Sequence, residues 1–422
     1  MCWKLKQKSL VLLVAAPLMV WGQISPAQTL AANHLTTARR DLDSCHIHKV
    51  TSLPGSHQFA SDFIEAMATD PNPRAKDANV VWGLTADYGS EVPFEDWAMY
   101  ISKTTDGGET WTQVARVGAE YFDAGMGEGL RNGLSVSPGG TDFVITTQRG
   151  AFQIFPQSNT SHALVKSIAG PRVSHLPESV SIAKKVGDPV RAGVVKITGD
   201  GKHMIVGYGY FDLNPQIFSY HRHHGSWIED GQLPQIPTEM DILSMEFDDS
   251  KKLRPSYLYV GTGDQAYRFN FHTMKWSRIE GVGPDSAIHG MCTVGGLHLA
   301  ACWGIYKPSS AGTVTRVTDA SFLLHRATDE AGPNIRAYSI EVDPARRNRE
   351  IVTAITGVYT SKDRGTTWKR LNDLPEEEFR SAHFNADGTV IVSGVAGTFL
   401  ANPFSKACVP HLKIRAPSLD NP

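Results

Sequence analysis

Ser361-Lys362-Asp363-Arg364-Gly365-Thr366-Thr367-Trp368 decides how this chain is read, because Thr104-Thr105-Asp106-Gly107-Gly108-Glu109-Thr110-Trp111 repeats it with Asp, Gly, Thr and Trp at the same offsets. A loop Asp accepts hydrogen bonds from backbone N–H groups just downstream, and Gly adopts a conformation that a side chain obstructs. Trp then opens the next strand and buries a large ring between neighbouring sheets. The octet therefore builds a corner between two strands, and two copies of one corner point to a repeat fold.

The repeat extends upstream. Ile64-Glu65-Ala66-Met67-Ala68-Thr69-Asp70-Pro71 and then Asn79-Val80-Val81-Trp82-Gly83-Leu84 precede the first octet. Ile340-Glu341-Val342-Asp343-Pro344 and then Glu350-Ile351-Val352-Thr353-Ala354-Ile355-Thr356-Gly357-Val358-Tyr359 precede the second. Strand, Asp-Pro turn, two strands, octet and strand resembles one blade of the Asp-box, or bacterial neuraminidase repeat, propellers of the sialidase-like superfamily. That superfamily also holds xyloglucan-cleaving hydrolases, sortilin-type receptors and photosystem assembly factors. The resemblance implies an all-β fold, a single β-propeller of about seven four-stranded blades, and leaves open whether the chain is catalytic.

The 422 residues suffice for one large closed unit. Forty-one Lys plus Arg against forty-three Asp plus Glu give a formal charge of −2, so nothing calls for nucleic acid or an anionic membrane as a general partner. Lys4, Lys6 and Lys8, the apolar run from Leu10 to Val20, and Ser25-Pro26-Ala27 read as an export signal over residues 1–27. Residues 28–44 read as a flexible lead-in, 45–416 as the propeller and 417–422 as a tail, in a secreted or periplasmic monomer with no membrane span after cleavage. Cys45 and Cys408 flank the propeller, and ring closure would bring them together as a disulfide; the alternative is two free thiols. Cys292 and Cys302 read as buried free thiols.

Innermost strands are expected at Phe63 to Thr69, Leu134 to Ser137, Gly193 to Thr198, Ile242 to Phe247, Ile288 to Val294, Tyr338 to Val342 and Arg380 to Asn385. His46 to Leu53 is expected to form the outer edge of the last blade, removing an exposed sheet edge. Gly225-Ser226-Trp227 and Met274-Lys275-Trp276 are worn octets that keep the Trp and lack the Asp.

In such a blade the octet turn lies on one face of the disc and the start of each innermost strand on the other. Asp106, Gly108, Trp111, Asp363, Gly365 and Trp368 are accordingly structural. Arg131, Arg191, Arg336 and Arg380 stand at or just before innermost strands, with Glu128, Glu239, Asp241, Asp285 and His289 in the same zone. Tyr208, Tyr210, Asp87 and Glu91 come from neighbouring loops. A guanidinium grips a planar carboxylate through two parallel hydrogen bonds, so several Arg around one axis suggest an anionic carbohydrate as ligand. The alternative is that these Arg pair with the acids beside them and hold blades together.

Hydrolysis of a glycoside would use paired carboxylates, Glu239 or Asp241 with Asp188 or Glu128. A uronate lyase would use Tyr208 or His289 as base and Arg191 to neutralise the carboxylate. Active sialidases carry an Arg-Ile-Pro motif that the first repeat lacks. Asn334-Ile335-Arg336-Ala337-Tyr338 sets its Arg and Tyr on one side of one strand, so the family's catalytic residues are not carried over. A reading from another class is a non-catalytic scaffold that binds a protein partner. His221-Arg222-His223-His224 reads as a solvated turn rather than a metal site, and no cofactor is expected. Asn159-Thr160-Ser161 is a glycosylation sequon if the host is eukaryotic.

Overall fold

The computed structural model of the protein describes residues 47–50, 53, 64–72, 79–87, 97–121, 133–157, 163–172, 190–209, 215–248, 254–284, 286–302, 304–309, 313–317 and 336–405. The export signal, the lead-in, Cys45, Cys408, the sequon and residues 417–422 lie outside them. Strands assemble into seven four-stranded antiparallel sheets, each a blade of one β-propeller. The innermost strands are Ala66–Thr69, Leu134–Val136, Ala192–Ile197, Ile242–Phe247, Ile288–Cys292, Ala337–Val342 and Phe379–Phe384, in chain order.

Second strands show why the blades must pack on both faces. Phe143–Thr147, Glu350–Ala354 and Val390–Gly394 are buried at every residue, as β-branched runs sandwiched between neighbouring sheets should be. Apolar clusters accordingly form between blades. Val194 and Ile205 of the third blade pack with Met245, Leu258 and Val260 of the fourth.

Both octets close through the same bonds. Thr104 Oγ1 donates to Asp106 Oδ1 (2.7 Å), as Ser361 Oγ does to Asp363 Oδ1 (2.8 Å). Asp106 Oδ1 accepts the Thr110 N–H at 3.0 Å, and Asp363 Oδ1 the Thr367 N–H at 2.8 Å. The indole N–H of Trp111 donates to Gly108 O, and that of Trp368 to Gly365 O, both at 3.1 Å. Gly108 and Gly365 have φ of 106° and 69°, the left-handed region that tolerates Gly best. Burial alone would raise the Asp363 carboxyl, but the hydrogen bonds from Thr367, Ser361 and Thr366 together outweigh it and bring it down to about 2.

Each turn aims its indole at an inter-blade seam. Trp368 packs on Ala300, Ile305 and Val317 of the fifth blade, and Trp111 on Ile391 and Leu400 of the seventh. Asn385 Nδ2, at the end of the last innermost strand, also donates to Gly107 O in the first octet (2.7 Å).

The ring closes as its sequence suggests. His48–Lys49 pairs antiparallel with Gly397–Ala401, matching His48 to Leu400 and Lys49 to Phe399, so an early strand completes the last blade. Val50 N donates to Thr398 O at 2.9 Å, extending the ladder. Two expectations change in detail. The third, sixth and seventh innermost strands begin one residue earlier than expected, because a bulge follows their first residue. Cys292 is a buried free thiol, whereas the free thiol of Cys302 is only half-buried, beside the ring of His289 (Nε2 to Sγ, 3.2 Å).

Replacing Trp368 with Ala removes the ring that fills the seam between blades five and six. Such truncation of a buried Trp should cost about 3–5 kcal/mol, read as a lowered midpoint in urea unfolding; an unchanged midpoint would mean the ring fills no such seam.

Candidate functional site

The innermost strands bring side chains to the axis at two levels. On the upper face, where they begin, the carbonyls of Arg191, Asp241, Ala287, Arg336 and Glu378 accept backbone N–H bonds from Gly209, Gly263, Cys302, Ile355 and Val395. One shared bond type identifies one shared position on five successive blades. A bulge follows in each of them, and its extra residue is Gly193, Leu243, His289, Tyr338 or Arg380. Bulges re-aim side chains and interrupt pairing. Here the bulge residues include His289, Tyr338 and Arg380, with the His289 and Tyr338 rings 5.8 Å apart between centroids and Tyr338 buried.

Of the expected Arg positions, Arg191 and Arg336 share this backbone register, with the acids Asp241 and Glu378 interleaved. Arg191 is buried, Asp241 is half-buried on the next blade, and Arg336 lies on the sixth. Arg380 pairs with Glu378 at 2.6 Å. Burial works against the Arg380 charge, yet the hydrogen bond and charge of Glu378, with Glu65 and Tyr338 also near, hold its pKa above the ordinary value. Glu239 is exposed on the segment leading to the fourth innermost strand. Asp87 ends the strand Val81–Asp87. Arg131, Glu128, Asp285, Tyr210, Glu91 and Asp188 lie outside the described residues.

Tyr208 is the last residue of the strand His203–Tyr208 rather than part of a loop, and it is buried in the apolar layer shared by the second and third blades. Its hydroxyl sits 2.8 Å from that of Tyr220, which donates to Ala169 O. Burial pushes its pKa up strongly, a poor state for a base. His221, Arg222 and His223 end the strand Gln216–His223 rather than forming the expected turn; Arg222 reaches across to the buried Asp142 of the second blade, and His221 Nδ1 contacts Asp230, both at 2.5 Å. Among the described residues no group of three His, Cys, Asp or Glu side chains is placed to hold a metal ion.

The second level was not singled out from the sequence. Counting past the bulge, Lys196, Glu246, Cys292, Glu341 and His383 occupy one register on blades three to seven. They line an axial cavity of about 350 Å³ near the lower ends of the innermost strands, to which all seven blades contribute. Lys196 Nζ pairs with Glu246 Oε2 at 2.7 Å. Burial pushes the Glu341 carboxyl up, and the neighbouring Glu246 adds to it, bringing it to about 8; Lys196 offsets part of the rise. Burial alone pushes the His383 imidazole down to about 4. The signal in the sequence was a charged or polar residue at the same place in otherwise apolar strands, hidden because each bulge shifts the count by one.

A second buried acid lies between blades five and six. Glu350 sits below the second octet with Oε2 3.8 Å from His298 Nδ1. Burial, helped by Asp363 and opposed by Lys307, raises its carboxyl to about 7, while burial and Lys307 lower His298 to about 4.

No family model matches the chain, and no curated protein matches it. Among solved structures, the chain is similar to PorZ of Porphyromonas gingivalis, an essential surface component of the type-IX secretion system, at 15% identity and a TM-score of 0.51 over 81% of this chain and 46% of that one. It is also similar to the extracellular domain of the hybrid two-component system BT3049 from B. thetaiotaomicron, at 14% identity and a TM-score of 0.50 over 85% of this chain and 42% of that one. The chain spans less than half the length of either, and the likeness concerns the propeller fold. Among the described residues no helix is long and apolar enough to cross a membrane.

The four shifted groups fix a pH dependence. Glu341 and Glu350 ionise at about 8 and about 7 when folded against 4.5 ordinarily, so their contribution is complete below 4.5 and is lost as pH rises through 7 to 8. His298 and His383 ionise at about 4 against 6.5, so theirs is present above 6.5 and is lost as pH falls towards 4. The two trends oppose each other between these ranges. Unfolding free energy should therefore decline between about pH 6.5 and 8, and the double variant Glu341→Gln, Glu350→Gln should flatten that decline; an equal slope in the variant would refute the assignment.

Proposed function

We propose that the protein is a recognition propeller that holds a carboxylate-bearing carbohydrate at the upper mouth. Arg191 and Arg336 grip the carboxylate, Asp241 and Glu378 accept bonds from ligand hydroxyls, and Arg380 is oriented by its pair with Glu378. The observation that supports this reading is the shared register of Arg191 and Arg336, whose backbone carbonyls make the same bond at the starts of two separate innermost strands. Arg is the side chain best matched to a planar carboxylate. The proposal includes export through residues 1–27 and kinship with the Asp-box propellers of the sialidase-like superfamily, which the matching bonds of the two octets support.

Cleavage is the weaker part of the proposal. With Tyr208 bonded within the core, the remaining candidates are His289 as base and Glu239 or Asp241 as a carboxylate whose expected partner, Asp188 or Glu128, lies outside the described residues. A non-catalytic scaffold that binds a protein is the second reading. It is favoured by the alternation of Arg191, Asp241, Arg336 and Glu378 around the mouth and by the Arg380–Glu378 pair, since a charge-balanced rim is what inter-blade pairing would produce.

A glycan array carrying sialosides and uronate-containing polysaccharides, followed by product analysis, separates these readings. Recognition predicts binding to acidic glycans that Arg191→Ala with Arg336→Ala weakens roughly tenfold or more, with the fold intact by circular dichroism. Binding unaffected by the double variant would remove the carboxylate role, and silence of the array and of product analysis would leave the scaffold.

A further inference from the structure

The lower axial cavity is separate from the upper-mouth chemistry, and not all of its polar groups find partners among the described residues. Lys196 and Glu246 satisfy each other at 2.7 Å, and Glu246 Oε1 also accepts the Phe247 N–H at 3.0 Å. Glu341 stands on the sixth blade at the same register and makes no ion pair or hydrogen bond among the described residues. His383 Nε2, buried from solvent on the seventh blade, also lacks a hydrogen-bond partner among the described residues. An enclosed polar atom without a partner, such as His383 Nε2, calls for a water, an ion or a ligand. Solvent reaches the ring, because the side chains of Lys196 and Glu246 keep 29% and 26% of their exposure.

The rim carboxylates are already in use. Asp70 accepts the Asn72 and Gly139 N–H groups, and Asp248 those of Ser256 and Tyr257. The interior ring therefore has one cation and two acids, with an imidazole acceptor and a thiol alongside. An anion entering it would meet Glu246 and Glu341 with only an already paired Lys196 to receive it. A metal ion lacks a ligand set, since no three His, Cys, Asp or Glu side chains among the described residues are placed to hold one. A volume of about 350 Å³ is at the small end of ligand pockets.

We propose that this cavity binds a small organic cation carrying a primary alkylammonium group, with the Glu341 carboxylate as counter-ion and His383 Nε2 as a second acceptor. Three N–H donors on a compact charge match a carboxylate and a neutral imidazole on adjacent blades, with the negative charge of Glu246 nearby. The ligand cation replaces the proton that burial keeps on Glu341, so binding releases a proton. Lys196, Glu246, Cys292 and His383 face Glu341, and Asp70 and Asp248 stand at the rim. Lys196 and Cys292 are held above their ordinary pKa and His383 below its own, which leaves Glu341 as the shifted group that titrates near neutrality.

Calorimetric titration of the full chain with propylammonium chloride tests this, with potassium and calcium chloride as parallel arms. The expected result is one saturable site whose affinity rises between about pH 6.5 and 9 and which Glu341→Gln weakens roughly ten- to hundredfold. Heat signals unchanged by E341Q in a folded variant would overturn the proposal, as would potassium or calcium binding that displaces the amine at equal concentration. If E341Q does not fold, the wild-type pH profile decides, and an affinity that stays flat or falls over that range is equally fatal.

Discussion

A twisted sheet of four strands with two apolar faces has no stable existence by itself, and closure of seven such sheets into a ring is the constraint on which this molecule depends. Every blade buries both faces against its neighbours; the first and last blades meet through Trp111 against Ile391 and Leu400 and through Asn385 on Gly107 O, while His48–Lys49 completes the last blade on Gly397–Ala401. The octets serve the same end. Each spends an Asp on the backbone of its own turn so that a Trp ring enters the seam beside it, Trp111 against the seventh blade and Trp368 against the fifth.

Closure also dictates where chemistry can occur. The apolar faces are committed to the seams, so the half-exposed positions of the innermost strands, pointing at the axis, are where seven blades can place polar groups together. The repeated bulge after the first residue divides these positions into two levels. Above it stand Arg191, Asp241, Arg336 and Glu378 with the bulge residues His289, Tyr338 and Arg380; below it stand Lys196, Glu246, Glu341 and His383 around a cavity. The upper level interleaves Arg191, Arg336 and Arg380 with Asp241 and Glu378. At the lower level Glu341 has no hydrogen-bond or ion-pair partner among the described residues, and burial holds it largely protonated near neutrality.

Much of the architecture was legible from residues alone. The octets, the Asp-Pro and Asp-Gly turns and the β-branched runs marked all seven innermost strands, and the early strand that completes the last blade followed from the need to hide an edge. Tyr208 was misplaced because an aromatic residue beside Gly209 reads as readily as a loop residue as a strand end; only the packing on Tyr220 reveals its core role. The lower ring escaped for a different reason. Lys196, Glu246 and Glu341 each interrupt an apolar strand by themselves, and their equivalence emerges only when the bulges are counted, a feature of backbone pairing that no spacing in the chain displays. Arg191 and Arg336 stood out because they border the strands, yet their shared register with Asp241 and Glu378 needed the repeated carbonyl bonds to become visible.

Ring closure as the organising constraint is tested most directly by native-state hydrogen exchange. If the seven blades stabilise one another, the slowest amides of all innermost strands exchange together through global unfolding, and the Val50 amide, bonded to Thr398 O, is protected along with those of the last blade. A Val50 amide exchanging as fast as a loop amide, or first and seventh blades opening far more readily than the third and fourth, would show that the disc is not closed by that strand and would contradict the account.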